Sequence, residues 1–259
     1  MNLKKVFSSK KEIVLNCYTY MGHAYRYASP ASAIDFLPDW WKALPAPRKT
    51  YSFSEGVGWN MKYCIGMTDL YRKALVLPLW SELNVRVSSG GDPNVDYRFA
   101  DGVSTAKTHA QCEYEGFSNP SVAKHLKLDS PWHFETDEDV SWVVVPPVYN
   151  HDLGAYSVLP GVLNFKQQHA TNIQMMLRTP PEGAVEVHVP FRTPMLLLKP
   201  LSERSFVVKT HLVTVEEFNR LHGQPPTVVR SGLIIRALHK AGVAKPVCPF
   251  SSSTDEVLK

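Results

Sequence analysis

Residues 141–148 read SWVVVPPV and residues 184–191 read AVEVHVPF, and these two stretches decide the fold class. The first stretch is continuously apolar, which is typical of a strand covered on both faces. The second alternates apolar and polar residues, which predicts a strand with one face in water. Both contain proline, which lacks a backbone N–H and is rare inside helices and central strands. Together they predict short strands separated by proline breaks.

The same pattern extends over most of the chain. Twenty prolines divide the 259 residues into short pieces, and many of these pieces are rich in β-branched and aromatic residues. Further strands are predicted within KEIVLNCYTY (11–20), KALVLPLWSELNVRV (73–87), PMLLLKPL (194–201) and RSFVVKTHLVTV (204–215). Because strands dominate, we expect a mainly β fold, a β-sandwich or distorted jelly roll with a few short peripheral helices.

Helix signals are fewer. The clearest is TVEEFNRLHG (214–223), where Thr214 caps the helix, two acidic residues fill the first turn and Gly223 provides a stop. Residues 29–44 predict one or two short helical turns. Short helices are also predicted within SNPSVAKHLKL (118–128) and SGLIIRALHKAGV (231–243).

The sequence composition predicts how the chain is divided and in which compartment it folds. We expect an N-terminal strand or arm over residues 1–34, a β-rich domain over 35–245 and a polar tail over 246–259. No apolar run approaches the roughly 18 residues of a membrane span. The N-terminus lacks the apolar region of a signal peptide, so we expect folding in a cytoplasm. The net charge is only +4 and the basic residues are scattered, which argues against nucleic acid as a partner.

Two adjacent tryptophans lie between prolines in DFLPDWWKALPAPRK (35–49). Neighbouring side chains on a helix point about 100° apart. We therefore expect different roles for Trp40 and Trp41: one packs the turn onto the sheet, and the other lines a groove or a protein interface. With Trp59 and Trp80 they are the candidate residues for binding a partner, because large aromatic side chains are common interface anchors.

A metal site is the alternative candidate. In SPWHFET (130–136), His133 and Glu135 are two residues apart, so on a strand both side chains face the same side. With His188 as a third ligand they would form a two-histidine, one-carboxylate set that suits non-haem iron. The competing interpretation is that His133 and Glu135 are ordinary polar residues on a solvated strand face. No GxSxG or HExxH motif is present, and apart from this iron no cofactor is predicted.

Five segments, in this order, resemble a family of uncharacterised proteins of similar length from bacteriophages and some bacteria. They are LPDWWKALP, MKYCIGMTDLYRKALVLPLW, SPWHFET with SWVVVPPVY, LPGVLNF and VPFRTPMLLLKPL, within residues 35–209. The shared motifs (WWK, KxC and PLW) are structural in character. The resemblance implies a phage or bacterial context, but no activity and no catalytic residue. In the family the SPW segment does not depend on His133 or Glu135, which weakens the iron hypothesis.

Three functions follow as hypotheses. The preferred one is a phage virion structural or accessory protein, such as a capsid decoration, head or tail component. It would act through protein–protein interfaces with other virion proteins or with itself as a homo-oligomer, first in the host cytoplasm and then in the virion. The second, and less favoured, is an enzyme: a non-haem iron oxygenase that uses His133, Glu135 and His188. The third is a sugar- or peptide-binding module with Trp40 and Trp41 as a stacking platform.

Overall fold

The structure is a computed structural model that describes residues 11–45, 61–89, 95–108, 123–150 and 155–222, apart from the side chains of Tyr63 and His222. These residues form many short strands and four short helices, which confirms the prediction of a mainly β, sandwich-like fold. None of the helices in these ranges is long and apolar enough to cross a membrane. The predicted helix at 231–243 and the predicted tail at 246–259 lie outside the described residues.

The elements follow one another in short steps. The strands are β1 (Ile13–Thr19), β2 (Ala31–Ser32), β3 (Leu75–Pro78), β4 (Leu83–Ser88), β5 (Val95–Phe99), β6 (Ala106–Thr108), β7 (Ala123–Leu128), β8 (His133–Glu135), β9 (Ser141–Val145), β10 (Tyr156–Val158), β11 (Gly161–Asn164), β12 (Ile173–Arg178), β13 (Ala184–Val189), β14 (Pro194–Pro200) and β15 (Phe206–Leu212). The helices are α1 (Gly22–Tyr27), α2 (Asp39–Ala43), α3 (Ile65–Arg72) and α4 (Val215–His222), and two 3-10 turns span Ala33–Phe36 and Met61–Tyr63.

The strands assemble into four sheets. Their strand orders are β15-β1-β8, β10-β12-β7-β6, β11-β9-β14-β3-β2 and β13-β4-β5. β1 pairs in parallel with β15 on one side and antiparallel with β8 on the other. Residues 13–19, for which the sequence predicts an N-terminal strand or arm, are the middle strand of a sheet. Their alternate side chains, those of Ile13, Leu15 and Cys17, are fully buried.

One buried cluster joins all four sheets, and we call it the main core. It includes Leu15 of β1, Val85 of β4, Leu126 of β7 and Trp142 of β9. Trp142 is fully buried, and its ring centroid lies 5.7 Å from that of Phe165 and 5.3 Å from that of Phe206 in β15. Large aromatic side chains dominate the energetics of such a core, so Trp142 is a principal contact between two sheets.

The five-stranded sheet is covered on both faces. Leu196 and Leu198 of β14 belong to the main core, whereas Leu197 between them belongs to a separate cluster on the opposite face. We call this cluster the second core; it consists of Ala33, Leu37, Met67, Tyr71, Ala74, Val76 and Leu197. The second core therefore attaches a layer of short helices and turns to the outside of the sheet.

Both stretches that decide the fold class behave as predicted. In SWVVVPPV, Trp142 belongs to the main core and Val145 packs against the second core, so the strand is covered on both faces. In AVEVHVPF, Val187 and Val189 are buried, while His188 between them is exposed. The proline breaks therefore separate strands, as expected.

The helix predictions have mixed outcomes. α4 is confirmed, and the Oγ1 of Thr214 accepts a hydrogen bond from the backbone N–H of Glu217 at 3.1 Å. Short turns also form within residues 29–44, as predicted. The helix predicted in SNPSVAKHLKL is wrong, because the described part is strand β7, with Leu126 and Leu128 in the main core. Pairing with β6 and β12 along both edges of this strand outweighs its local helix propensity.

A partly buried carboxylate fixes the turn after β5. Asp101 accepts hydrogen bonds from the backbone N–H groups of Ser104 (2.9 Å) and Val103 (3.1 Å), and its Oδ2 lies 3.5 Å from Nε2 of His23 in α1. Burial raises the pKa of Asp101. The hydrogen bonds from Ser104 and Val103, together with the neighbouring His23, outweigh burial and leave this pKa below its ordinary value.

We expect the Asp101→Asn variant to lose less stability in acid than the unsubstituted protein does. A carboxylate with a depressed pKa stabilises the folded state above its unfolded pKa of about 3.9. That contribution is lost as the pH falls through the lower pKa of the folded state. Urea unfolding at several pH values between about 2 and 7 measures the effect. Identical pH dependence of the two proteins would contradict this assignment to Asp101.

Candidate binding groove around Trp40

Helix α2 places its two tryptophans in different environments. Trp41 is half-buried, packs against the second core, and donates a hydrogen bond from Nε1 to the carbonyl oxygen of Met61 at 3.2 Å. Trp40 leaves 44% of its surface exposed, and the exposed part lines a groove. The two residues lie in different environments, as expected: Trp41 packs against the protein, and Trp40 lines a groove. A role of Trp40 in binding stays a prediction.

A lysine holds the end of this short helix. The Nζ of Lys62 donates hydrogen bonds to the carbonyl oxygens of Lys42 (3.2 Å) and Leu44 (2.9 Å), and it lies 5.8 Å from the ring centroid of Trp41. A positive charge at a helix C-terminus is favourable because the last carbonyl groups lack partners within the helix. A helix of five residues would not be stable alone, so these tertiary contacts determine the position of Trp40.

The groove is open and has a volume of about 640 Å³. Three aromatic residues line it: Phe36, Trp40 and Tyr149. The Nε1 of Trp40 donates a hydrogen bond to the carbonyl oxygen of Tyr149 at 2.9 Å, and the centroids of these two rings are 6.4 Å apart with a tilt of 54°. Because the indole N–H is engaged, the orientation of Trp40 is fixed and the surface it presents to the groove is ring carbon.

Partly buried hydrogen bonds through Asn150 connect Phe36 of the groove to Tyr71 of the second core. The Nδ2 of Asn150 donates to the carbonyl oxygen of Phe36 at 2.9 Å, and the hydroxyl of Tyr71 donates to Oδ1 of Asn150. Burial, with a smaller contribution from Tyr149, raises the pKa of Tyr71 to about 12. The Tyr71 hydroxyl therefore remains a donor at neutral pH. Since Tyr71 is also part of the second core, the groove and the second core form one unit.

Arg192 lines the groove in an unusual backbone conformation. Its φ is 65°, in the left-handed region that residues other than glycine rarely adopt. The turn is held by hydrogen bonds from the Arg192 N–H to the Leu79 oxygen (2.9 Å) and from the Leu79 N–H to the Thr193 oxygen (2.8 Å). The guanidinium lies beside another lining residue, with Cζ 5.9 Å from the ring centroid of Phe36. Residues held in such conformations cluster at functional sites.

We expect Arg192→Gly to be more stable than Arg192→Ala by about 1 kcal/mol in the free energy of unfolding. Both variants lose the guanidinium and its contact with Phe36, so the difference between them isolates the backbone. Glycine adopts a φ of 65° without the steric cost that a Cβ brings, and this outweighs its greater freedom in the unfolded chain. Urea unfolding of the two variants measures the difference. An alanine variant at least as stable as the glycine variant would contradict the expectation.

The charged side chains that line the groove balance one another. They are Asp35, Asp39, Lys42 and Arg192. Asp39 and Lys42 form an exposed ion pair at 3.1 Å within α2, and such pairs contribute little to stability. The groove thus combines ring surfaces, two acceptor-only carboxylates and two donor-only cations, with no net charge.

The other tryptophans proposed as binding residues do not join this groove. Trp80 is fully buried in the main core, and its Nε1 donates to Oγ of Ser104 at 2.8 Å. Its assignment to an interface is wrong, because a side chain enclosed by its own domain cannot contact a partner. Trp59 lies outside the described residues.

The three candidate iron ligands do not come together. His133 is buried in β8 and stacks on His169 with ring centroids 4.6 Å apart, and Glu135 is half-buried in the same strand. His188 lies in a different sheet, on β13, with Nδ1 2.9 Å from Oδ1 of Asn84. Among the described residues, no group of three or more His, Cys, Asp or Glu side chains could hold a metal ion.

Sequence reasoning missed Tyr149 and Arg192 as residues of the groove. Tyr149 is 109 residues from Trp40 along the chain, and Arg192 is farther still. The only local signal is that each follows a proline break, in VPPVYN and in VPFRTP. Long-range pairing of β14 with β3 and β9 brings these turns to the same place.

No protein-family model matches the chain, and no curated protein matches it in sequence. The likeness to phage and bacterial proteins over residues 35–209 therefore stays a prediction.

Proposed function

We propose that this protein acts by binding, and that the groove around Trp40 is its binding surface. The position of Trp40 carries the proposal. A large aromatic side chain is left 44% exposed, yet its indole N–H is held by Tyr149 and its helix is fixed by Trp41 and Lys62. Exposed aromatic residues in rigid, concave surfaces are common anchors for ligands and partners.

We further propose that the protein is a structural or accessory component of a phage particle, in a capsid, head or tail. The resemblance over residues 35–209 supports this assignment, and the mainly β fold is compatible with it. The partners would be other virion proteins or a second copy of the chain. The protein would be in the host cytoplasm during assembly and in the virion afterwards.

Attachment to the particle would use a second surface, at the ends of β1 and β15. We call it the Tyr20 surface, and define it by Tyr20, Leu212 and Val215, which are 40%, 48% and 51% exposed. Leu212 is the register partner of Thr19, so it lies beside the residue before Tyr20. The ring of Tyr20 packs edge-on against the ring of Phe218 in α4, with ring centroids 4.9 Å apart. This contact holds the Tyr20 side chain in place. Aromatic residues are enriched in protein–protein interfaces.

No observation on the described residues favours the iron-dependent oxygenase. His188 on β13 lies opposite Asn84 on the neighbouring strand β4, in a different sheet from His133. His133 is buried and stacks on His169. Metal analysis of the purified chain and of His133→Ala tests this alternative directly. Stoichiometric iron that disappears in the variant would show that His133 binds iron, as this alternative requires.

Mass spectrometry of purified particles of the phage that encodes the chain tests the virion assignment. We expect the chain at a constant ratio to the major capsid protein. Replacing Tyr20 and Leu212 together with serine should lower its incorporation, whereas Val162→Ser, at a 60% exposed position on β11, should not. A chain that is abundant in the infected cell and absent from particles would contradict the assignment.

A further inference from the structure

We infer that the Trp40 groove binds a neutral saccharide chain. The inference rests on the proposed role of the groove as a binding surface and is independent of the phage assignment. The groove, of about 640 Å³, is in the range typical of ligand sites, about 300–1,000 Å³. Because it is open to solvent, a chain longer than the groove can extend beyond it.

The aromatic side chains favour a ligand with an apolar ring face. The indole N–H of Trp40 is occupied by Tyr149, so the exposed part of Trp40 offers a ring surface and no donor. The Tyr149 ring is tilted by 54° to it, and the two rings form the sides of a wedge. The face of an aromatic ring carries partial negative charge and attracts the positive ends of C–H bonds. A pyranose presents C–H groups on its face and hydroxyls around its edge, which suits this wedge.

The charged side chains favour a ligand that is neutral and hydroxylated. Two acidic and two basic residues line the groove, so it does not select for a strongly charged ligand. Asp35 can only accept hydrogen bonds and Arg192 can only donate them. A hydroxyl group does both, so the hydroxyls of a sugar can hydrogen-bond to either residue. Hydrogen bonds to charged groups are also stronger than those between neutral groups.

A proline-rich peptide also stacks on aromatic residues, but it fits this groove less well. Proline has no N–H group, so such a segment offers carbonyl acceptors and almost no donors. Arg192 could donate to those carbonyls and Asp39 is paired with Lys42, but the carboxylate of Asp35 would be left facing acceptors. The mixture of acceptor-only and donor-only side chains therefore favours the saccharide.

Calorimetric titration of the full chain with neutral oligosaccharides (cellohexaose, maltohexaose, mannohexaose and chitohexaose) tests the inference. We expect at least one to bind with a Kd of about 1 mM or lower. Trp40→Ala should weaken that binding about tenfold. Arg192→Gly should weaken it several-fold, and it serves as a second variant because glycine is compatible with the backbone at that position. Tyr27→Ala, which removes a 61% exposed aromatic ring outside the groove, should bind as the unsubstituted chain does.

The titration has three outcomes that would overturn the inference. One is no binding of any of these oligosaccharides up to about 10 mM. Another is unchanged affinity in a Trp40→Ala variant whose circular dichroism shows that it is folded. The third is binding of hexaproline, lost in Trp40→Ala, without binding of the oligosaccharides. The third outcome would overturn the saccharide inference but would leave the groove as a binding surface. The presence of the chain in phage particles is tested separately, by mass spectrometry.

Discussion

Trp142→Ala is expected to lower the free energy of unfolding by about 3–5 kcal/mol. The side chain is fully buried between two sheets, against Phe165 and Phe206. Its removal loses the transfer free energy of the indole and leaves a cavity that rings fixed in neighbouring strands cannot fill. Domains are stable by only about 5–15 kcal/mol, so this variant should be partly unfolded at 37 °C or have a much lower urea midpoint. Urea unfolding followed by circular dichroism measures the loss.

The Phe variants of two buried tryptophans provide the control. Among the described residues, the Nε1 of Trp142 has no hydrogen-bond acceptor, whereas the Nε1 of Trp80 donates to Ser104 at 2.8 Å. Both Trp→Phe changes remove the same volume, but Trp142→Phe also removes an unpartnered buried donor. We therefore expect Trp142→Phe to cost about 1–2 kcal/mol less than Trp80→Phe. Equal costs would mean that the indole N–H of Trp142 is satisfied in solution.

The strands could be predicted because their signals are local. SWVVVPPV and AVEVHVPF carry their burial patterns in their own residues, and proline marks their ends. α4 could be predicted for the same reason, since Thr214 caps it from within the adjacent sequence. Each of these elements is specified by residues within about ten positions of one another.

α3 could not be predicted from the sequence, because it is stabilised by tertiary contacts and not by local helix signals. Only Met67 and Tyr71, four residues apart, are buried, and both face the second core. Its first turn contains Gly66 and the exposed Ile65, and Cys64 at its start provides no side-chain cap. The helix is stabilised mainly because Met67 and Tyr71 pack on the second core, and local helix propensity contributes little.

The groove could be predicted only in part. Adjacent tryptophans on a helix point in two directions, so the sequence predicts that one of Trp40 and Trp41 lies outside the core, but it does not identify which one. The partners Tyr149 and Arg192 do not, because they reach the groove through strand pairing over more than a hundred residues. The positive φ of Arg192 carries no sequence signal either, since a non-glycine residue gives no warning of it.

Leu197→Ala is expected to lower the free energy of unfolding by about 2–5 kcal/mol. It should also increase local opening of the helices around the Trp40 groove. Leu197 lies opposite Val76 of β3 and Val145 of β9, and these three side chains lie on the second-core face of the sheet. That face carries Met67 and Tyr71 of α3, so the cavity lies directly beneath the helical layer. Regions that depend on few apolar contacts open locally before the whole domain unfolds. Hydrogen exchange of the backbone amides in α2 and α3 should therefore accelerate more than exchange in β1.

Leu196→Ala is the matched control, since it makes the same change one residue away on the opposite face of β14. Leu196 belongs to the main core and Leu197 to the second core. Both variants should lose global stability, but only Leu197→Ala should speed exchange selectively in residues 39–43 and 65–72 and weaken binding at Trp40. If both variants accelerate exchange uniformly, the two faces form one cooperative unit and the groove is not separately supported. Selective exchange would show instead that the second core is the element that holds Trp40, Tyr149 and Asn150 in place, because Tyr71 links that core to Asn150.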